Sequence, residues 1–226
     1  MYRSVFWGML SVALIGTDPA IAVGKKAKGD AGAPPSPSKT SEIPTSHYSG
    51  LEVSLGKPYA PLTIIMYYSL TCPHCHEFQE KILPEIKAEF IDKNLVRFVF
   101  RDFPTDQLAL KGAKIAWCMG KDHYLTIAKK LLATQDDWAP IDPAKLKDAE
   151  KALLKIAGEF AITNAEYRRC LANKDVEDTI LRTSFEAQKT HQIMAAPAFL
   201  VNGKVFGEDM TVKAIHKLLL EMGIHG

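Results

Sequence analysis

A chain of 226 residues, 47% of them apolar, has enough material for one domain with a sizeable core. Its formal net charge of +2 gives no case for nucleic acid or an acidic partner. No internal repeat divides it.

In chain order, residues 1–22 read as a secretory signal. Arg3 supplies the positive start, Val5 to Ile15 the short apolar run, and Ala20-Ile21-Ala22 a small-x-small cleavage site. A spanning helix needs about 20 apolar residues, and Asp18 and Pro19 interrupt too soon; an uncleaved anchor is the alternative. Residues 23–50 contain Lys25-Lys26 and Pro34-Pro35-Ser36-Pro37 but almost no large apolar side chains. Such a stretch cannot bury a core and reads as a disordered linker.

The folded domain is expected over residues 51–226. Leu51 to Leu55 reads as an edge strand, and Leu62 to Tyr68 as a β-rich apolar strand. A helical pattern follows, with Phe78, Ile82, Leu83, Ile86, Phe90 and Ile91 on its apolar stripe and Pro84 expected to kink it. Leu95 to Phe100 then returns as a buried strand, so the strand–helix–strand unit predicts two parallel strands. From about 105 to 192 the pattern is helical throughout, with Thr105 or Asp106, Asp122, Asp142 before Pro143, Asn164 and Asp175 as start signals. These helices are too many for one crossover and predict an inserted helical subdomain. Ala198 to Val201, Asn202-Gly203 and Lys204 to Phe206 predict a hairpin with a type I′ turn. Thr211 then caps a final amphipathic helix.

Between the long strand and its helix lies Cys72-Pro73-His74-Cys75. A helix N-terminus offers unpaired N–H groups and a positive dipole end to the first sulfur, and His74 can add charge. Such settings lower a cysteine pKa from about 8.5 into the range of roughly 3.5–7.5. A value of about 4 would favour the reduced form by roughly 4 kcal/mol at pH 7, on the order of 90 mV for two electrons. The motif therefore points to an oxidant more than a reductant.

Two other chemistries fit parts of the motif. Cys72-Pro73-His74-Cys75-His76 matches the attachment pattern of c-type haem, with His76 as axial ligand; the preceding strand and the later proline loop argue against it. A zinc site usually needs a second spaced pair of ligands, and none is evident, so no metal is expected. His47, His123, His191, His216 and His225 have no partner that the sequence names.

Three features in order, namely the motif after a strand, the helical block, and Ala195-Ala196-Pro197-Ala198-Phe199-Leu200-Val201-Asn202-Gly203 before the last helix, resemble the DsbA-type thiol–disulfide oxidoreductases of alpha-proteobacteria and intracellular bacteria. The resemblance runs from about Leu51 to the C-terminus. It implies an α/β thioredoxin fold with an inserted helical subdomain, catalytic Cys72 and Cys75 with Pro73 and His74 between them, and a cis peptide at Pro197 facing the cysteines. It implies that the backbone of Ala196 is free to pair with an extended substrate strand. It implies introduction of disulfides into reduced, unfolded exported proteins in the periplasm through a mixed disulfide at Cys72. No cofactor beyond the redox-active disulfide is expected, and a DsbB-like, quinone-linked membrane oxidase would restore the bridge. The chain is expected to act as a monomer.

A disulfide isomerase or reductase on the same fold is the alternative activity, and a binding protein of the envelope is a further one. Two positions depart from the pattern. Met66 stands six residues before Cys72, where many relatives carry a buried carboxylate; Arg97, Arg101, Asp102 or water are candidates to replace it. Ala196 precedes Pro197, where valine or threonine is frequent. Cys118 and Cys170, both on helices of the insertion and 52 residues apart, remain. An oxidising compartment favours a structural disulfide between them, contributing about 4 kcal/mol in the chain-entropy model; two buried free thiols are the alternative.

Overall fold

The computed structural model describes residues 51–140 and 142–224. The expected signal, the expected linker, His47 and His225 lie outside the described residues. Five strands form one sheet: β1 (Val53–Leu55), β2 (Leu62–Tyr68), β3 (Val96–Asp102), β4 (Ala198–Val201) and β5 (Lys204–Phe206), in the order β1-β3-β2-β4-β5. β2 is buried at every position. Its even-numbered side chains Leu62, Ile64, Met66 and Tyr68 enter the main core, while Ile65 and Tyr67 enter a smaller one on the other face. The two-residue period of a strand covered on both sides produces this split. β2 and β3 are parallel, with Tyr68 opposite Asp102, and every other pairing is antiparallel. The β4–β5 turn has φ of 46° at Asn202 and 82° at Gly203, both positive as a type I′ turn requires.

The helix behind the motif is less regular than its apolar stripe suggests. α1 (Pro73–Glu77) passes into a π-helical turn (Phe78–Ile82), then α2 (Leu83–Ile86), then a second π turn (Lys87–Ile91). Pro84 does not interrupt an α-helical interior, as expected from sequence. It sits in the first turn of α2, where its missing N–H costs little, and the preceding π turn closes with Leu83 N–H donating to Phe78 O.

Six helices lie between β3 and β4: α3 (Gln107–Ala116), α4 (Lys121–Ala133), α5 (Gln135–Trp138), α6 (Ala149–Glu159), α7 (Asn164–Ala172) and α8 (Lys174–His191). Asp106 caps α3 by accepting from Ala109 N at 2.8 Å. Several expected starts shift. α4 starts after Gly120, whose φ of 79° suits a residue without Cβ, so Asp122 falls in the first turn rather than at the cap. Asp142 caps a 3₁₀ segment (Pro143–Asp148) ahead of α6. Thr163 caps α7 in a reciprocal bond with Glu166, and Asn173 caps α8, displacing Asn164 and Asp175. Side-chain acceptors crowd these junctions, and the one with the right backbone geometry wins. Thr211 caps the last helix, α9 (Val212–Glu221), as expected.

Two contacts bring the insertion close to the motif. A Cβ at Gly112 would lie 2.8 Å from the Trp138 ring and 3.3 Å from Leu70. The absent side chain therefore lets α3 close on Trp138, and this seats α5 beside the chain entering the motif. Within the insertion, the buried Lys114 ammonium pairs with Glu177, which Lys174 also binds at 2.8 Å. Those two cations hold the Glu177 carboxyl down to about 2.

Candidate active site

The seven buried residues of β2 deliver the chain to Ser69, and a turn closes there with Cys72 N–H donating to Ser69 O at 3.1 Å. Cys72 is the N-cap of α1 and Pro73 its first residue, where proline's fixed φ suits a helix start. The Cys72 carbonyl accepts from Cys75 N and His76 N, both at 3.1 Å. One turn of helix thus sets the two sulfurs side by side at different depths. Cys72 is partly exposed, Pro73 and His74 are exposed, and Cys75 is 0% exposed. Both thiols are free.

Depth separates their acidities. The Cys75 thiol donates a hydrogen bond to the Cys72 sulfur, which is the largest influence on it. Partial burial opposes ionisation. The amides of Cys75 and His74 and the charge of His74 favour it, and the outcome is a Cys72 pKa of about 6. Roughly nine in ten Cys72 side chains are then thiolate at pH 7. That pKa lies inside the range of roughly 3.5–7.5 expected for such a setting, and burial keeps it from falling further. Cys75 goes the other way: burial first, then the hydrogen bond and charge of Cys72, push its thiol far up.

The second segment of the site comes from 124 positions along the chain. The Ala196–Pro197 peptide is cis, and the Cys72 thiol donates to the Ala196 carbonyl at 3.2 Å. While Cys72 keeps its proton, that carbonyl is therefore engaged by the protein rather than free for a substrate strand. Met194, two residues earlier, is 78% exposed.

Several residues at the site carry no motif. Gln135 of α5, buried to 7% exposure, donates from Nε2 to Leu70 O at 2.7 Å and to Cys72 O at 3.0 Å. Ser69 Oγ lies 3.0 Å from Thr105 Oγ1, and Thr71 Oγ1 donates to Asp106 Oδ2 at 2.5 Å. Phe78 packs against Phe98 and Phe199 with ring centroids 5.9 and 5.1 Å away, which anchors α1 on the sheet. Met66 is fully buried beneath. Of the candidates to replace a carboxylate there, Arg97 and Arg101 turn to Glu52, and Asp102 accepts from Trp117 and Tyr124 in the core. The sequence named Asp102 only as a possibility; Gln135 left no signal, because an amide gives no period and no charge.

The other candidates separate from this site. Cys118 and Cys170 are joined to each other, Cα–Cα 5.4 Å, linking the 3₁₀ turn Trp117–Met119 to α7. Covalent haem attachment needs two reachable sulfurs, and Cys75 is not one. Among the described residues, no three His, Cys, Asp or Glu side chains converge as a metal site would require. His216 has a partner the sequence did not name: its Nε2 lies 3.1 Å from Glu89 and its ring is edge-on to Phe90. His191 is partly buried, and that burial and then the charge of Arg101 lower its pKa.

Comparison with known proteins gives the following. The thioredoxin family profile matches residues 49–221. A putative protein-disulfide oxidoreductase of Rickettsia conorii is 30% identical over 175 residues, 75% of this chain and 61% of the relative. Disulfide bond formation protein D of Bacillus subtilis is 30% identical over 159 residues, 67% of this chain and 68% of the relative. The crystal structure of Wolbachia pipientis alpha-DsbA1 superposes with a TM-score of 0.66 at 27% identity, covering 75% of this chain and 89% of that one. The chain thus spans only about three fifths of the Rickettsia relative's length.

Proposed function

This chain belongs to the thioredoxin family, as a thioredoxin fold with an inserted helical subdomain, and from that premise we propose that it is a protein-disulfide oxidoreductase whose net direction is oxidation. The observation that carries this reading is the opposed acidity of two adjacent sulfurs. Cys72 is at the surface with a pKa of about 6, and Cys75 lies beneath it with its thiol pushed far up.

In the oxidised protein, a substrate thiolate attacks the Cys72 sulfur. A substrate–Cys72 bond forms, the Cys72–Cys75 bond breaks, and Cys75 leaves with the electron pair and takes a proton. A second substrate thiolate attacks the substrate sulfur of this mixed disulfide. The substrate disulfide is released and Cys72 departs as thiolate, so the substrate loses two electrons and the dithiol holds them. A low pKa makes Cys72 a good leaving group and favours the reduced product. The bridge carries the electrons without an added cofactor. Unfolded exported proteins would be the substrates, extracytoplasmic space the setting, and a quinone-linked membrane oxidase of the DsbB kind the acceptor. Exposed Met194 offers such substrates an apolar contact beside the proline loop.

The deciding experiment incubates the oxidised protein with a reduced, unfolded test protein and follows disulfide formation. Oxidation well above that by glutathione disulfide is expected. Failure there, together with repair of scrambled disulfides by the reduced form, would assign the isomerase role instead.

A further inference from the structure

The turn that carries Cys72 is held from the insertion residue by residue. Ser69 Oγ meets Thr105 Oγ1, and Thr71 donates to Asp106, the cap of α3. Gln135 of α5 donates to the carbonyls on either side of Thr71, Leu70 O at 2.7 Å and Cys72 O at 3.0 Å. Its NH2 group has two protons, and both are used here. Of these contacts, the one from Gln135 is the one that reaches the Cys72 backbone.

α5 offers that amide from a fixed seat. Trp138, one turn on, is 0% exposed, its Nε1 donates to Leu131 O at 2.8 Å, and its ring lies against Gly112. The Gln135 carbonyl accepts from Ala139 N at 2.7 Å. A side chain locked in this way is aimed before any substrate arrives.

The Cys72 carbonyl is crowded. It accepts from Cys75 N and His76 N, both at 3.1 Å, as well as from Gln135. A carbonyl oxygen has two lone pairs, so three donors cannot all bond it fully. The Cys75 N–H has a second acceptor, because it also bonds the Cys72 sulfur. Forked amides of this kind are common at helix ends. The Cys72–Pro73 peptide has no N–H, so its plane can be gripped only through that carbonyl.

We propose that Gln135 is a positioning residue of the exchange: by taking up the Cys72 carbonyl from the insertion, it releases the Cys75 N–H to the Cys72 sulfur. Gln135 and His76 fill the two lone pairs, and the forked amide leans toward sulfur. The gain is largest when Cys72 departs as thiolate, since a bond to an ionised acceptor is about twice as strong as one between neutral groups. After the Cys75 thiol, that amide is among the donors that favour the Cys72 anion. Gln135 forms and breaks no covalent bond and acts through the carbonyl. The insertion thereby sets the reactivity of a sulfur it does not carry. The inference rests on the exchange reading above.

The test needs no substrate. Reduced full-length protein is titrated by thiolate absorbance, with the Cys75 amide followed by NMR. The Cys75 thiol is pushed far up, so the first thiolate to appear is Cys72. Gln135→Met keeps the length and removes the donor. Cys72 is expected to ionise about tenfold more weakly, the size of one bond to a charged group. Its midpoint then moves from about 6 to about 7. At pH 7 the equilibrium with glutathione should move about fivefold toward the bridged form. The downfield movement of the Cys75 amide proton on ionisation of Cys72 should shrink with it.

Thr134→Ala is the control. It removes the Thr134 Oγ1 bond to Lys130 O at 2.8 Å and loosens the same junction, but it leaves the amide in place, and the midpoint should stay near 6. Gln135→Ala replaces Gln135→Met if the latter does not fold. A midpoint still near 6 in a folded Gln135 variant, or an equal rise in Thr134→Ala, overturns the proposal. So does a Cys75 amide proton that stays put as Cys72 ionises in the unaltered protein. Should the oxidised protein fail to oxidise a reduced substrate while the midpoint depends on Gln135, the proposed function falls and the positioning role stands.

Discussion

The molecule contains two cysteine pairs in opposite circumstances. Cys72 and Cys75 have two residues between them on one helical turn, one sulfur at the surface and one at 0% exposure, both free. Cys118 and Cys170 are 52 residues apart, partly buried, and bonded across two elements of the insertion. Spacing alone would assign the first pair a trivial loop and the second a long one, which is the difference between a bond that constrains little and one that removes much unfolded-state freedom. Setting does the rest: a neighbouring thiol and the helix amides stabilise Cys72 as an anion, whereas the second pair, bonded to each other, does not titrate. The same element serves as reagent in one place and as staple in the other.

Breaking each pair should separate chemistry from stability. Cys72→Ser is expected to abolish oxidation of a reduced test protein completely while leaving the denaturant midpoint nearly unchanged. Replacing both Cys118 and Cys170 by alanine should do the reverse, lowering unfolding free energy by about 4 kcal/mol in the chain-entropy model with the exchange reaction retained. Equal loss of activity in both variants would erase the distinction.

Asp102 sharpens the comparison through pH. Its folded value of about 6 lies above the ordinary 3.8. Below pH 3.8 both folded and unfolded chains hold the proton. Between about 4 and 6 only the folded chain does, so stability falls as pH rises, and above 6 the loss is complete at about 3 kcal/mol. Unfolding curves from pH 3.5 to 7 should show this fall, and Asp102→Asn should flatten it. Smaller still, Gln135→Ala removes two buried hydrogen bonds and should cost about 1–3 kcal/mol together with a several-fold slower exchange. The smallest change is a titration: Cys72 thiolate absorbance should be half-developed near pH 6, and a midpoint near 8.5 would remove the basis for oxidation.

What the sequence disclosed follows from the range of the interactions. β2, β3, the Asn202-Gly203 turn and the Asp106 and Thr211 caps depend on neighbours within a few residues, and each was legible. The π turns around Pro84 were not, since the apolar stripe Phe78, Ile82, Leu83, Ile86 fits either winding. Gly120 replaced Asp122 as a cap because backbone φ, invisible in composition, decided it. The site divided in the same way. Cys72, Cys75 and Pro197 announce themselves, whereas Gln135 meets Leu70 across 65 positions and Tyr124 meets Asp102 across 22. Only tertiary packing brings those partners together.

The thiol-to-carbonyl contact at Ala196 has a corollary for turnover. A sulfur that has shed its hydrogen has nothing to offer that carbonyl, and two electron-rich atoms 3.2 Å apart push away from each other. Discharging a finished substrate leaves Cys72 in that bare form. The jaw formed by the two segments is therefore latched only while Cys72 carries its proton, and a departing thiolate or a bridged sulfur leaves the carbonyl open.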